Sequence, residues 1–402
     1  MRALGGSRDF ATIYTATVAW GQGANPYDSA TLKEIWEASG GEGQLNCTTT
    51  PSVYPPSTFL VLFPLKWLSW KWAVSVWLGL NLGAIVVILE STRKLIQKPW
   101  TSPAAIGMAA GFLALGPTSS AVTMGQTSLL VLALMMLGLL MIDSHPITAG
   151  LAFAIGACVK PQLAIPLICA VGLSRRWKVC LVAILMMTVL TLSAILRLSN
   201  TADWYVAWSN NLRSSSSIGG VNDPTAANRL AIQLINLQYA LHTIVHNRTL
   251  VTLTVVALCS IMVLPMLRMV VMHPKDQRPP DVLATAALLQ LIGLIAIYHR
   301  AYDAVILILP IAYIVTQEVP VRRAIPIYLA IGLFVLPGGV GVQALERTGL
   351  IPAVVVQSNV WQCFVRPYEC WMLVVVASWL SFVMVTCSRC SISCRGEEGA
   401  AL

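Results

Sequence analysis

Between Thr58 and Thr386 one long apolar run follows another, and nearly every Lys and Arg falls in the short gaps between runs. A helix needs about 20 apolar residues to cross about 30 Å of hydrocarbon, and lipid tolerates no unpaired backbone polar group. Ala73 to Leu89, Lys178 to Leu198, Thr249 to Met272 and Trp371 to Cys387 meet that requirement. The pattern predicts an all-α, polytopic transmembrane bundle of about eleven spans: 73–89, 103–121, 125–142, 147–159, 161–173, 178–198, 249–272, 282–298, 302–317, 324–342 and 371–387. The fourth and fifth are too short to cross fully and read as a re-entrant pair meeting at Lys160-Pro161. Ahead of the first span, Thr58 to Leu65 leads into Lys66, Trp67, Trp70, Lys71 and Trp72, a mixture suited to the headgroup level.

Composition removes the alternative of a soluble enzyme. Hydrophobic residues make up 56% of the chain and charged residues 11%, against roughly a quarter in soluble domains. The whole chain, 1–402, therefore reads as a single integral membrane domain. Its polar parts are a first extracytoplasmic loop region at 1–57, a large extracytoplasmic loop at 199–248 and a cytoplasmic tail at 388–402.

The net charge of +9 is dispersed in loop-sized groups, so no nucleic-acid surface is expected. Arg93, Lys94 and Lys98, then Arg175, Arg176 and Lys178, then Arg268, Lys275 and Arg278, then Arg322 and Arg323, then Arg389 and Arg395, all fall in alternate connections. The positive-inside rule places these in the cytoplasm and the long polar, aromatic loops outside. Met1 to Ser57 would then be exported with neither a signal peptide nor a preceding span, which predicts that a further helix belongs ahead of it.

Candidate chemistry gathers on the exported side. Asp9 opens a helical pattern carried by Phe10, Ile13, Tyr14, Thr17 and Val18 and closed by Gly21, Gly23, Asn25 and Pro26. It reads either as an N-cap or as a carboxylate base at the membrane edge. His299, Arg300 and Asp303 lie wedged between two spans, where ionisable groups pair or line a polar cavity. Either Arg300 and Asp303 pair across one turn, or His299 and Arg300 hold a phosphate. Lys160, beside the helix-breaking Pro161, either snorkels to the headgroups or meets an anion such as a lipid phosphate. Gly125-Gln126-Thr127-Ser128 begins a span on the same face, with an amide, hydroxyls and free helix N–H groups. In the large outer loop, Asp203, Trp204, Trp208, Asn210, Asn211, Asn222, Asp223 and Asn228 suit sugar recognition and equally suit an ordinary folded loop.

In order along the chain, Asp9 with Tyr14 and GANPY, VYPPSTFLVLFPL from Val53, GQTSLLVLALM from Gly125, AGLAFAIGACVKPQLAIPL from Ala149 and HRAYDAVILILP from His299 together resemble glycosyltransferase family 87. These are the polyprenyl-phosphate-mannose-dependent mannosyltransferases of the GT-C superfamily. The resemblance implies inverting transfer of a hexose, mannose above all, from a polyprenyl-phosphate donor to a lipid or glycan acceptor on the extracytoplasmic face of the cell membrane. It implies Asp9 as the general base and Lys160, His299 and Arg300 at the donor phosphate. Tyr14, Asn25, Tyr27, Gln126, Tyr302 and Asp303 become candidates for sugar or acceptor binding. No cofactor or metal is expected, there being no exported D-x-D pair.

The rival class is a transporter or flippase of lipid-linked sugars, which often carries duplicated halves; none is visible. Cys363 and Cys370 lie outside and are able to pair, whereas Cys387, Cys390 and Cys394 lack a fourth zinc ligand. Asn46 and Asn247 open glycosylation sequons.

Overall fold

The computed structural model describes residues 8–41, 45, 51–198, 201, 203–272, 281–336 and 338–398. Among these the architecture is helical with no β-strand, and only an isolated antiparallel bridge joins Leu234 to Arg300. The expected Lys275, Arg278 and Asn46 features lie outside the described residues, as do the side chains of Cys387, Arg389, Cys390, Cys394 and Arg395.

Two short helices, α1 (Arg8–Gln22) and α2 (Ser29–Ala38), open the chain. Asp28 caps α2 by accepting from the Thr31 N–H at 2.9 Å. A single helical turn, α3 (Pro56–Val61), and a 3₁₀ turn at Phe63–Trp67 lead into the long α4 (Trp70–Leu95). Then come α5 (Pro103–Ala114), started by Ser102 and Pro103, and α6 (Gly116–Met124), stopped by Gly125 in the left-handed conformation at φ 66°. The central helices are α7 (Ser128–Met141), α8 (Pro146–Val159), α9 (Pro161–Leu173) and α10 (Trp177–Leu198).

The long loop after α10 holds α11 (Trp204–Ser216) and α12 (Leu237–His242), and α13 (Arg248–Met272) follows it. Helices α14 (Val282–Ala296) and α15 (Ile308–Thr316) flank a 3₁₀ segment at Ala301–Leu307. The last part comprises α16 (Val321–Gly332), α17 (Gly338–Arg347), α18 (Ala353–Val356) and α19 (Tyr368–Glu398).

The polytopic helical membrane fold read from the apolar runs is the fold observed. Trp70–Leu95, Trp177–Leu198 and Arg248–Val271 are long and apolar enough to cross a membrane unaided. Two bent pairs raise the candidates to five: α5 with α6, bent by 51°, and α16 (continued to Val335) with α17, bent by 60°. Several other expected spans are shorter apolar helices such as Ser128–Met141 and Pro161–Leu173, cut by Gly and Pro. Leu181, Leu185, Leu192 and Leu196 on α10, and Leu253, Ile261 and Leu264 on α13, turn outward, as lipid-facing flanks must.

Packing divides into two bodies of buried side chains. The larger joins α7, α8 and α9 to α14, α15 and α19. The smaller binds α1, α2 and α3 to the start of α4 through Phe10, Tyr14, Trp36 and Trp77. Between them, Ser57 and Thr58 donate to the Cys158 carbonyl at 3.1 and 2.9 Å, satisfying an acceptor near the end of α8.

This long loop is stapled from within, which favours the folded-loop reading of its polar side chains. Asp223 accepts from the Gly219 N–H at 2.7 Å and pairs with Arg248 at 2.5 Å, while Asn211 donates to the Tyr27 and Ser52 carbonyls, both at 3.0 Å. Cys363 and Cys370, read from sequence as able to pair, are not joined. Both are buried free thiols, and Cys370 donates to the Asn236 carbonyl at 3.3 Å.

Candidate active site

Four breaks in regular helix converge on one place. The first is the start of α1. Phe10 stacks on the Trp77 ring at 4.5 Å, and the Trp77 indole N–H donates to the Gly125 carbonyl at 2.9 Å. This brings the first turn of α1 against the Gly125 bend, where the Gln126 amide donates to Asp9 Oδ2. Asp9 therefore lies inside the first turn, with its carboxylate reaching a different segment of the chain.

The second break is that bend itself, which carries Gln126, Thr127 and Ser128 into the start of α7. The third is Lys160, extended at φ −146° and ψ 81° between α8 and α9, where Pro161 has no N–H to offer the preceding helix. The fourth is the segment 298–303 between α14 and α15. Its course is set by residues 234–235 of the long loop between α10 and α13, since Ile235 N–H donates to the His299 carbonyl at 2.9 Å beside the Leu234–Arg300 bridge.

Asp303 is the hub. Its Oδ1 accepts from the Ser128 hydroxyl at 2.6 Å and from Lys160 Nζ, and its Oδ2 lies 2.8 Å from His299 Nδ1. Lys160 Nζ also donates to Ser128 Oγ at 2.9 Å and faces the Tyr302 ring at 4.9 Å from the centroid. Lys160, His299 and Asp303 are all at least 96% buried. The anion that Lys160 requires is thus a protein carboxylate, and the snorkelling alternative is excluded. Arg300 does not pair with Asp303. It donates to Gln233 Oε1 at 2.8 Å and to the Val221 carbonyl at 3.3 Å, both neutral acceptors.

Three polar atoms beside this cluster are buried with no hydrogen-bond partner among the described residues: Gln126 Oε1, Thr127 Oγ1 and His299 Nε2. Such atoms are costly in a folded protein unless something else binds them. Asp9 keeps part of its surface open, yet burial raises its pKa above the ordinary carboxylate value. The Arg300 charge, the Gln126 amide and the Lys160 charge oppose that rise. The arrangement places the Asp9 carboxylate and the Lys160 and Arg300 cations around unfilled hydrogen-bonding capacity.

The chain matches the family model for glycosyltransferase family 87 over residues 53–297. It belongs to that family. No curated protein and no solved structure matches it. This family 87 glycosyltransferase carries Gln126, Ser128, Lys160 and Gln233 within the matched span, whereas Asp9 and the His299–Asp303 segment lie to either side of it.

Of the residues singled out from sequence, the fold brings Asp9, Gln126, Lys160, His299, Tyr302 and Asp303 together, with Arg300 alongside. Tyr14, Asn25 and Tyr27 have other partners. The Tyr14 hydroxyl donates to the Leu68 carbonyl at 2.7 Å, Asn25 accepts from the Tyr27 N–H at 3.0 Å, and the Tyr27 hydroxyl donates to the Tyr54 carbonyl at 2.9 Å. These contacts shape the first loop. Ser128 and Gln233 were not singled out as site residues. Ser128 stood inside a quoted motif, but Gln233 carries no local signal.

Proposed function

We propose that this membrane glycosyltransferase moves a hexose, mannose in the first instance, from a polyprenyl-phosphate donor to a hydroxyl of a lipid or glycan acceptor. In this reading the reaction inverts the anomeric centre, faces the extracytoplasmic side and proceeds in a GT-C-like bundle in the cell membrane. The observation that carries the reading is the Gln126 bridge, which holds the Asp9 carboxylate next to the buried Lys160–Asp303–His299 cluster.

Asp9 takes the proton of the acceptor hydroxyl as that oxygen attacks the anomeric carbon. The bond from that carbon to the phosphate oxygen breaks, its electron pair leaves with the phosphate, and no acid is needed because a phosphate leaves as an anion. Growing charge on the phosphate calls for fixed positive groups. Arg300 suits this best, since its hydrogen bonds go to neutral oxygens and leave its charge uncompensated by them. His299 Nε2, open on its other side, supplies a second contact when it carries a proton as well as the Nδ1 that faces Asp303. Lys160, matched by Asp303, contributes by holding Asp303 and His299 in place and through its field.

The test is incubation of membranes containing the full chain with radiolabelled polyprenyl-phosphate sugars and candidate acceptors. Label in the acceptor supports the reading. Facilitated lipid movement without transfer would establish the flippase instead.

A further inference from the structure

The segment from Gly338 to Pro367 is folded into α17, α18 and a turn of π-helix at Trp361–Val365, yet it buries little of its apolar surface. Val340, Leu345, Leu350, Val354, Val360 and Phe364 all stand exposed, Leu350 by 78% and Val354 by 81%. A loop bathed in water rarely shows so many large apolar side chains together. Its charges are equally unusual. Within 338–367 they are Glu346, Arg347 and Arg366. The Glu346 carboxylate is closed off by Arg366 Nε and Nη2 and by the Trp361 indole N–H, each at 2.7 Å. That pair is neutral, which leaves Arg347, exposed at the end of α17, as the net charge of the segment.

We propose that residues 338–367 lie in the membrane interface, with the apolar side chains seated in the phospholipid leaflet and Arg347 at the lipid phosphates. Three observations select the leaflet as the occupant. Exposed apolar side chains also stand on the flanking apolar helices, Leu329 and Leu333 with Leu336 before the segment and Val375 and Phe382 after it. Helices α16 and α17 together are apolar enough to pass as one bent membrane pair. An amphipathic segment with its carboxylate neutralised and an Arg and a Trp at its polar margin matches the chemistry of an interfacial helix.

The segment is also tied to the site. The Gly339 N–H donates to Glu369 at 3.3 Å, and a Cβ at Gly339 would stand 2.0 Å from the Ile232 carbonyl oxygen. Its base is therefore packed on the turn that carries Gln233, the partner of Arg300. The segment therefore meets the chain one residue in sequence from the contact of Gln233 with Arg300.

The full chain bearing Val354→Cys, labelled with an environment-sensitive fluorophore and reconstituted in phosphatidylcholine–phosphatidylglycerol vesicles, tests the placement. Glu37→Cys on the exposed face of α2 is the aqueous control, and the unsubstituted chain labelled in parallel gives the background from native cysteines. The fluorophore at 354 is expected to emit at shorter wavelength than at 37, and to be quenched severalfold more by doxyl-lipid than by iodide. Iodide quenching without doxyl quenching would place the segment in water and overturn the proposal. Quenching by neither, with cross-linking between copies through position 354, would make the face a protein interface and equally overturn it.

Discussion

Replacing Lys160 with methionine removes one half of a buried ion pair while retaining the length of the side chain. Lys160 and Asp303 are each only a few per cent exposed, and Asp303 would keep the Ser128 hydroxyl and His299 as partners. Truncating one member of a buried pair leaves an uncompensated charge and costs about 3–5 kcal/mol, whereas replacing both members by neutral groups of similar size is often close to neutral. Lys160→Met and Asp303→Asn are therefore each expected to lower stability by about 3–5 kcal/mol, and the double variant to recover most of that loss. Thermal unfolding of the four detergent-purified proteins, followed by intrinsic fluorescence, gives the ranking. Transfer activity, measured well below the lowest unfolding midpoint, should fall in both single variants and stay low in the double variant, because stability returns but the placement of His299 does not. Single variants that unfold with the unmodified protein, or a double variant less stable than both, would refute the buried pair.

Asp9→Asn keeps side-chain size and should reduce transfer by about 10²–10⁴-fold without loss of folding, since an amide cannot take the acceptor's proton; retained turnover would move the base to Asp28 or Asp303. Transfer should also fall on acidification at a pH above the ordinary carboxylate range, because burial raises the Asp9 pKa and the base works only when deprotonated; Asp9→Asn should abolish that limb of the pH–rate profile. Arg300→Ala should lower turnover by about 2–4 kcal/mol if the guanidinium stabilises the departing phosphate. Gln233→Leu should show a smaller loss that Gln233→Glu restores, and equal activity in all three would detach Gln233 from Arg300. Reporter fusions should place 199–248 outside and Arg93 to Lys98 inside, and finding both on one side would remove the extracytoplasmic site.

Much of this protein is local and so is legible in the chain. Apolar length dictates helices because a backbone in lipid has to satisfy itself. Pro161 after Lys160, Gly125 before Gln126 and the polar run at His299 mark places where helix must stop. Each of these breaks contributes to the site, which is why the segments were recognisable before their arrangement was known.

What each polar side chain binds was decided only by tertiary structure. Lys160 reads as a cation seeking a phosphate until folding brings Asp303, 143 positions away, against it. Arg300 and Asp303 stand three apart and invite pairing, yet the 3₁₀ course of Ala301–Leu307 and the bridge at Leu234 send them to different partners. Tyr14, Asn25 and Tyr27 stand in one motif, and only the fold shows that the first loop uses them to close on itself. A hydrophobic period reports the state of a residue's own neighbourhood. Hydrogen-bond partners separated by more than a hundred residues depend on how the helices pack, and no short window of sequence contains that.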